Sequence, residues 1–448
     1  MATQCHTQLA FGFQPKVSLD FRGGLMTTDP GLLILRELDH RWRLTRPLET
    51  ILDDTRDGRY VRHPMGHLLC QRLYQIVAGY EDAIDSNLLR FDPTFQTLVN
   101  PRGPGDPLAT QSTFSRLENS VRWSDIRRVA DLSFRWFLAH GAKIRSSASQ
   151  EILLDADSTD DPVHGRQQLA LFHGKYNTYM YHPLLILEHH TGHLLASKLR
   201  CGTARDAEGL VPELRRILPR LRGKFPWAPI RFRADAGFPS PRLYDFLEAQ
   251  GIEYLIGIPC YNKGIRPRVA GIIQRAENRY ERTGKPVRLF SSVYYRARSW
   301  PRRRRILVKV EVNSQGTNVR CVITNRRGRT SDLFSTYNRR GQVENRIDEL
   351  KNHLSADRLS CCRYRANAFR LQLHTLAYNL MNLLRHSLRG TSLERAETST
   401  LRLKLFKVGA RVVRTARRIW FHLASGWPYR DLFIQAHRAL RRPLPGFR

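Results

Sequence analysis

Four residues in the stretch YNRRGQVENRIDELK could act together on a phosphodiester: Tyr337, Arg340, Glu344 and Lys351, at successive intervals of 3, 4 and 7 positions. On a continuous helix, at about 100° per residue, Arg340, Glu344 and Lys351 share roughly one face. A carboxylate between cations is what a site needs if a metal ion and a phosphate backbone are to meet there. Asp348 lies one turn beyond Glu344 on nearly the same face, so spacing alone leaves both acids eligible. The same pattern also describes an exposed helix held by ion pairs, and one helix does not decide between the two. Two further acids bear on the choice. Asp157 closes the apolar run ILLDAD, and Asp235 stands at the end of IRFRADA. Carboxylates at strand ends can gather at one rim of an open α/β sheet. Asp155 competes with Asp157, because alternate residues of a strand share a face. Hard oxygen ligands of this kind suit Mg²⁺.

Composition narrows the partner. The 448 residues suffice for two or three domains, and 41% hydrophobic content fits a globular chain. The formal net charge is +34, from 74 Lys+Arg against 40 Asp+Glu. Such an excess says nothing of fold but points to a polyanion, with nucleic acid ahead of a membrane surface. The seven cysteines include no C-x-x-C pair, which speaks against a zinc ribbon or a disulfide framework. Scattered thiols, no signal-peptide core in residues 1–21 and no uninterrupted apolar run of 18 residues lead us to expect a soluble, cytoplasmic protein.

The elements that must position the acids follow from periodicity. Residues 1–147 read as helical and basic, a DNA-binding domain. Within it, after the turn-rich NPRGPGDP, Ser112 or Thr113 opens a short helix with Arg116 outward, similar to a helix-turn-helix reading element. From Ile152 the pattern becomes strand, hairpin, helix, strand, helix, strand, with the hairpin turn at Thr191-Gly192. This predicts a mixed α/β core over 148–388. Strands at 293–298, 306–312 and 319–324 mark a β-rich insertion at about 260–335, and Ala366–Leu388 reads as a buried helix. Residues 389–448 read as basic helices contacting DNA or a second subunit, with Arg411 and Arg414 among the phosphate contacts.

Together these blocks resemble the DDE transposases of bacterial insertion sequences, in the subgroup marked by a Tyr-Arg-Glu-Lys signature. The likeness covers about residues 100–425. The signature spacing is Tyr, two residues, Arg, three, Glu, six, Lys. Tyr337, Arg340, Glu344 and Lys351 satisfy each gap, which favours Glu344 over Asp348. ADAGF around Asp235 matches the second catalytic block. DADSTDD matches the first, where the acid stands two residues before the threonine, hence Asp157 with Thr159.

The resemblance implies an RNase H-like core and Asp157, Asp235 and Glu344 as catalytic metal ligands. It implies two Mg²⁺ ions, replaceable by Mn²⁺. It implies a homodimer that synapses two DNA ends, cuts them by hydrolysis, often through a hairpin, and joins the 3′-hydroxyls to target DNA. Tyr337 and Arg340 would hold phosphates near a flipped terminal base, Trp300 would stack on that base, and Lys351 would contact the transferred strand. A nucleoid-associated location follows from the same likeness. Two other classes compete: a DNA-binding regulator that has lost catalysis, against which the intact acid triad argues, and an RNase H-like nuclease that cuts without terminal repeats.

Overall fold

The run ILLDADS is apolar on both faces apart from its acids, and it forms a strand, β1 (Ile152–Ser158), buried almost throughout. Strands of that composition belong inside a sheet covered on both sides. The computed structural model, which describes residues 9–100, 103–144, 151–261 and 263–441, places β1 in the interior of a mixed eight-stranded sheet. Antiparallel to β1 runs β2 (Leu184–Glu188), followed by β3 (Leu194–Lys198). The turn between them needs Gly192, whose φ of +73° is a left-handed conformation that side chains with a Cβ resist. Glu188 secures it by accepting from the amide and hydroxyl of Thr191 at 2.8 and 2.7 Å.

On the other side of β1, β4 (Ile230–Ala234) runs parallel with Arg233 opposite Asp155, and β5 (Glu253–Ile258) runs parallel to β4. Helices α1 (Leu210–Lys224) and α2 (Pro241–Ala249) make the two crossovers. Leu210, Leu214, Ile217, Leu218 and Leu221 form the buried stripe of α1. Each such side chain stabilises the fold by roughly 1.5–3 kcal/mol relative to exposure.

The strands within 260–335 do not stand apart from this core. Following the helix α3 (Arg266–Thr283), β6 (Val287–Tyr295), β7 (Arg304–Asn313) and β8 (Gly316–Thr324) are antiparallel, and β8 pairs with β5. The strand order is therefore β6-β7-β8-β5-β4-β1-β2-β3. Sequence reading missed α3. Its buried residues are only Val269, Ile272 and Ala276, in 18 residues otherwise crowded with charge.

The helix expected to run unbroken from Tyr337 to Lys351 is in fact interrupted. Helix α4 (Thr330–Asn338) stops short of α5 (Gly341–Asp348), and a wide turn covers Glu349–His353. At the junction the amides of Arg340, Gln342 and Val343 bond carbonyls three residues back, at 2.9, 3.2 and 2.8 Å, which tightens the turn. Gly341, a poor helix former, marks the break. Helix α6 (Tyr364–Ser387) then shields the outer edge of β3: Gln372 donates to the Ser197 carbonyl at 3.0 Å and Asn379 accepts from the Leu194 amide at 2.9 Å.

By packing, the chain falls into two units, one spanning residues 129–379 and one drawn from residues up to 128 together with those from 380 on. The second unit contains helices Leu32–Trp42, Met65–Ala78, Pro93–Val99 and Gln111–Ser120. The last of these begins slightly earlier than expected, with Thr110 in the cap position. The C-terminal segment corrects a second expectation. Residues from 389 on are not all helical: Ala410–Arg414 and Ile419–Leu423 form a hairpin that pairs with Met26–Thr27. Buried Ala410 and Val412 alternate with exposed Arg411, a period of two that the basic run disguised as a helix face. Arg430–Arg441 is helical. No described helix is long and apolar enough to cross a membrane.

Candidate active site

Because β1 and β4 are parallel with Ala156 opposite Ala234, the next residues, Asp157 and Asp235, emerge at one rim. Asp235 lies just past β4, and its Oδ1 accepts from the Gly237 amide at 2.8 Å. Asp157 is 8% exposed. Its Oδ1 accepts from the Ser158 amide at 2.9 Å and its Oδ2 from Arg340 at 2.7 Å. Burial pushes the Asp157 carboxyl up to about 6; Arg340 pulls it down and Asp235 pushes it further up. Asp155 has no such freedom. It is fully buried, and Arg233 grips it through Nε and Nη2, each at 2.7 Å. Although burial works against it, the bonds to His189 and Arg233 hold Asp155 below its ordinary value.

The break between α4 and α5 does not scatter the charged positions. Arg340, at the head of α5, donates to Asp157 with one nitrogen and to Glu344 with another at 3.0 Å, so one guanidinium joins the two acids. Burial opposes its charge, but Asp157 and its neighbours raise Arg340 above its ordinary value. Glu344 itself is 64% exposed. Lys351, on the wide turn, donates to Asp160 at 2.9 Å. A cleft of about 410 Å³ is lined by Asp157, Asp235, Arg340, Glu344, Asp348 and Lys351, with Tyr176 and Asp357 beside them. A second cleft of about 580 Å³ shares Asp235, Arg340 and Glu344 and adds Tyr337, Tyr261 and Arg320. Tyr337 reaches it across Gly257: a Cβ there would stand 2.5 Å from the tyrosine hydroxyl and 2.7 Å from the Ala236 nitrogen.

The family model for the transposase DDE domain, group 1, matches residues 9–444. The chain belongs to this family. Among solved structures, the transposase is similar to the piggyBac transposase in a cryo-EM structure of its synaptic complex with hairpin DNA. Identity is 13%, the match covers 85% of this chain and 80% of that one, and the TM-score is 0.43. No curated protein matches the chain.

DDE transposases use divalent metal ions, and the acids can be tested against that need. Among the described residues, no three of His, Cys, Asp and Glu form a ready-made metal cage. Mg²⁺ does not require one, since it takes one or two carboxylates and completes its shell with water and phosphate oxygens. The three acids opening on one cleft, with the Asp157 carboxyl raised by burial and then by Asp235, fit such an ion.

Not every expected site residue of the transposase is at this rim. Trp300 is buried between the rings of Tyr244 and Tyr295, at centroid distances of 5.5 and 5.3 Å, with the Arg304 guanidinium 5.5 Å from its ring. It lines neither cleft. The exposed aromatic at the acids is Tyr261, 75% accessible. Arg116 is exposed on Gln111–Ser120, while Arg411 and Arg414 lie on the C-terminal hairpin, where Arg414 donates to the Pro104 carbonyl. These three belong to the other unit. Tyr261 had a readable signal, since it stands in the loop that follows β5, as Asp235 stands at the start of the loop that follows β4. Arg320, Tyr176 and Asp357 had none, because only tertiary packing brings them to the clefts.

Proposed function

We propose that this transposase binds the terminal inverted repeats of an insertion sequence, hydrolyses the phosphodiester at each end and joins the freed 3′-hydroxyls to target DNA. The observation that carries this is the convergence of Asp157, Asp235, Arg340 and Glu344 on one cleft from three separate elements. A binding protein gains nothing from carboxylates facing phosphates, whereas a phosphoryl-transfer enzyme needs them. The antiparallel triplet β1-β2-β3 followed by parallel β4 and β5 supports an RNase H-like core.

Asp157, Asp235 and Glu344 would hold two Mg²⁺ ions, replaceable by Mn²⁺, which when bound activate the attacking oxygen and stabilise the leaving one. The remaining roles fall to this chain's own side chains. Arg340, with its forked guanidinium, takes a phosphate oxygen next to the acids. Lys351 and Tyr337 hold the strand on either side. The stacking role assigned by sequence to Trp300 passes to Tyr261, whose exposed ring stands in the second cleft where a displaced base would lie. The signature spacing of Tyr337, Arg340, Glu344 and Lys351 supports placement in the Tyr-Arg-Glu-Lys subgroup. Pairing of two ends calls for a homodimer, and the helical residues up to 128, Arg116 included, would read the repeat.

Purified protein, labelled element ends, Mg²⁺ and a target plasmid provide the test, scored for nicked, hairpin and joined products. Asp157→Ala, Asp235→Ala and Glu344→Ala should each abolish cutting, a loss of at least ~1,000-fold, and leave end binding in place. Normal cutting by any of these variants would remove its acid from the site. Cutting that ignores the terminal repeats and joins nothing would point to a nuclease.

A further inference from the structure

Arg233 lies directly behind the acids and touches the elements that deliver them. Alternate residues of a strand share a face. Asp155 and Asp157 therefore face the same way on β1, as do Arg233 and Asp235 near the end of β4. Asp155 and Arg233 are register partners, so the rung just before the two acids is an ion pair. Both members are essentially inaccessible, at 0% and 1% exposure. The guanidinium does not stop there. Nη1 donates to the carbonyl of Thr336, in the last turn of α4 and adjacent to Tyr337. Nη2 stands 2.8 Å from His189 Nδ1, which lies 3.0 Å from Asp155 Oδ2, and the His189 amide is held by the Leu153 carbonyl at 2.8 Å.

We propose that Arg233, locked by Asp155 and His189, is the positioning residue of the active site. It fixes the separation of Asp157 and Asp235 and the point at which α4 delivers Tyr337 and Arg340. The inference rests on the transposase reading above. Two like charges side by side on neighbouring strands repel, and at the rim Asp157 and Asp235 are such a pair. The opposite-charge rung behind them holds the strands together against that repulsion. The third contact fills a carbonyl left open at a helix C-terminus, where a cation is favoured. Net stability is a poor reason for this arrangement. Buried ion pairs replaced by apolar residues of similar volume often leave a protein equally stable or more so. What an apolar replacement cannot do is span two strands and a helix end with directed bonds.

That contrast defines the experiment. Asp155→Val/Arg233→Met removes the charges together and nearly keeps the volume. The full-length double variant should melt close to the wild type and bind element ends with unchanged affinity. Its kcat for end cutting should fall roughly 100-fold, the scale of a misplacement of about 1 Å, with KM for DNA unchanged. The Mg²⁺ concentration giving half-maximal cutting should rise. Arg233→Lys keeps the charge but loses the planar fork, and it should fold, bind and lose kcat in the same sense. This variant carries the test if the double variant does not fold. A folded variant with wild-type kcat and Mg²⁺ dependence would overturn the proposal. So would a loss of kcat that merely tracks a loss of DNA affinity. Failure of the reading beneath it looks different: the wild-type protein itself would show no Mg²⁺-dependent cutting.

Discussion

At the scale of single residues, charge placement separates groups that spacing could not. Asp155 and Asp157 are equivalent by strand periodicity, yet one is neutralised by Arg233 and the other opens on the cleft. The distinction lives in the β1–β4 register, which no local pattern encodes. Trp300 shows the converse: its type suited a stacking role, but it packs among Tyr244, Tyr295 and Arg304. Asp161, four residues beyond Asp157, is buried, with neither carboxyl oxygen hydrogen-bonded among the described residues. Burial, with Asp357 adding to it, pushes its carboxyl up to about 9. The folded protein therefore keeps a proton there that the unfolded chain releases near its ordinary value. The stability from this group is complete below about pH 4, declines as pH rises and is lost by about pH 9. Asp161→Asn should be more stable than the wild type by about 1–3 kcal/mol at pH 8 and no more stable at pH 4. Urea titrations at the two pH values check this; a difference that does not vary with pH would exclude a buried proton at this position.

Elements were legible where one periodicity dominated. The buried strands β1, β2, β4 and β5 and their crossover helices announce themselves as apolar runs and stripes. Basic residues defeated the same reading twice, in α3 and in the hairpin Ala410–Arg414/Ile419–Leu423, because charge fills the exposed positions of either period. On that hairpin Arg411 stands opposite His422, whose ring stacks on Trp420 at 5.9 Å. Arg417 and Arg418 are exposed in its turn. Replacing Arg411, Arg417 and Arg418 by Ala should reduce the slope of log affinity against log salt by about 2–3 if all three meet phosphates. An unchanged slope would assign the hairpin to packing or dimer contacts. A second element-level dependence sits at β5. With Ala at 257 the new methyl meets the Tyr337 hydroxyl and the Ala236 backbone. Gly257→Ala should destabilise the fold by about 1–3 kcal/mol and depress cutting further than that loss of folded protein accounts for. A calorimetric melt beside a single-turnover cutting assay would expose the difference.

For the whole molecule, the +34 charge fixes how DNA affinity must behave before any specific contact is considered. Binding to random duplex should weaken by orders of magnitude between about 50 and 200 mM salt, and a filter-binding series would record it. The division into units carries a further consequence, for the order of events on the ribosome. The unit holding residues up to 128 is closed by residues from 402 on, which follow the other unit in the chain. Arg402 bonds the carbonyls of Ile76 and Val77, Lys407 pairs with Asp29, and the Val408 and Val412 amides bond the carbonyls of Thr28 and Leu25. Residues 129–379 are made in between, a delay on the order of ten to fifty seconds at ordinary rates of synthesis. The unit of residues 129–379 is therefore complete on the ribosome while the other still lacks its closing hairpin. A chain released early has no finished partner for Leu25, Thr28, Ile76 or Val77. A product truncated just before residue 402 therefore lacks the contacts that close the unit of residues up to 128, even though it carries the whole of 129–379.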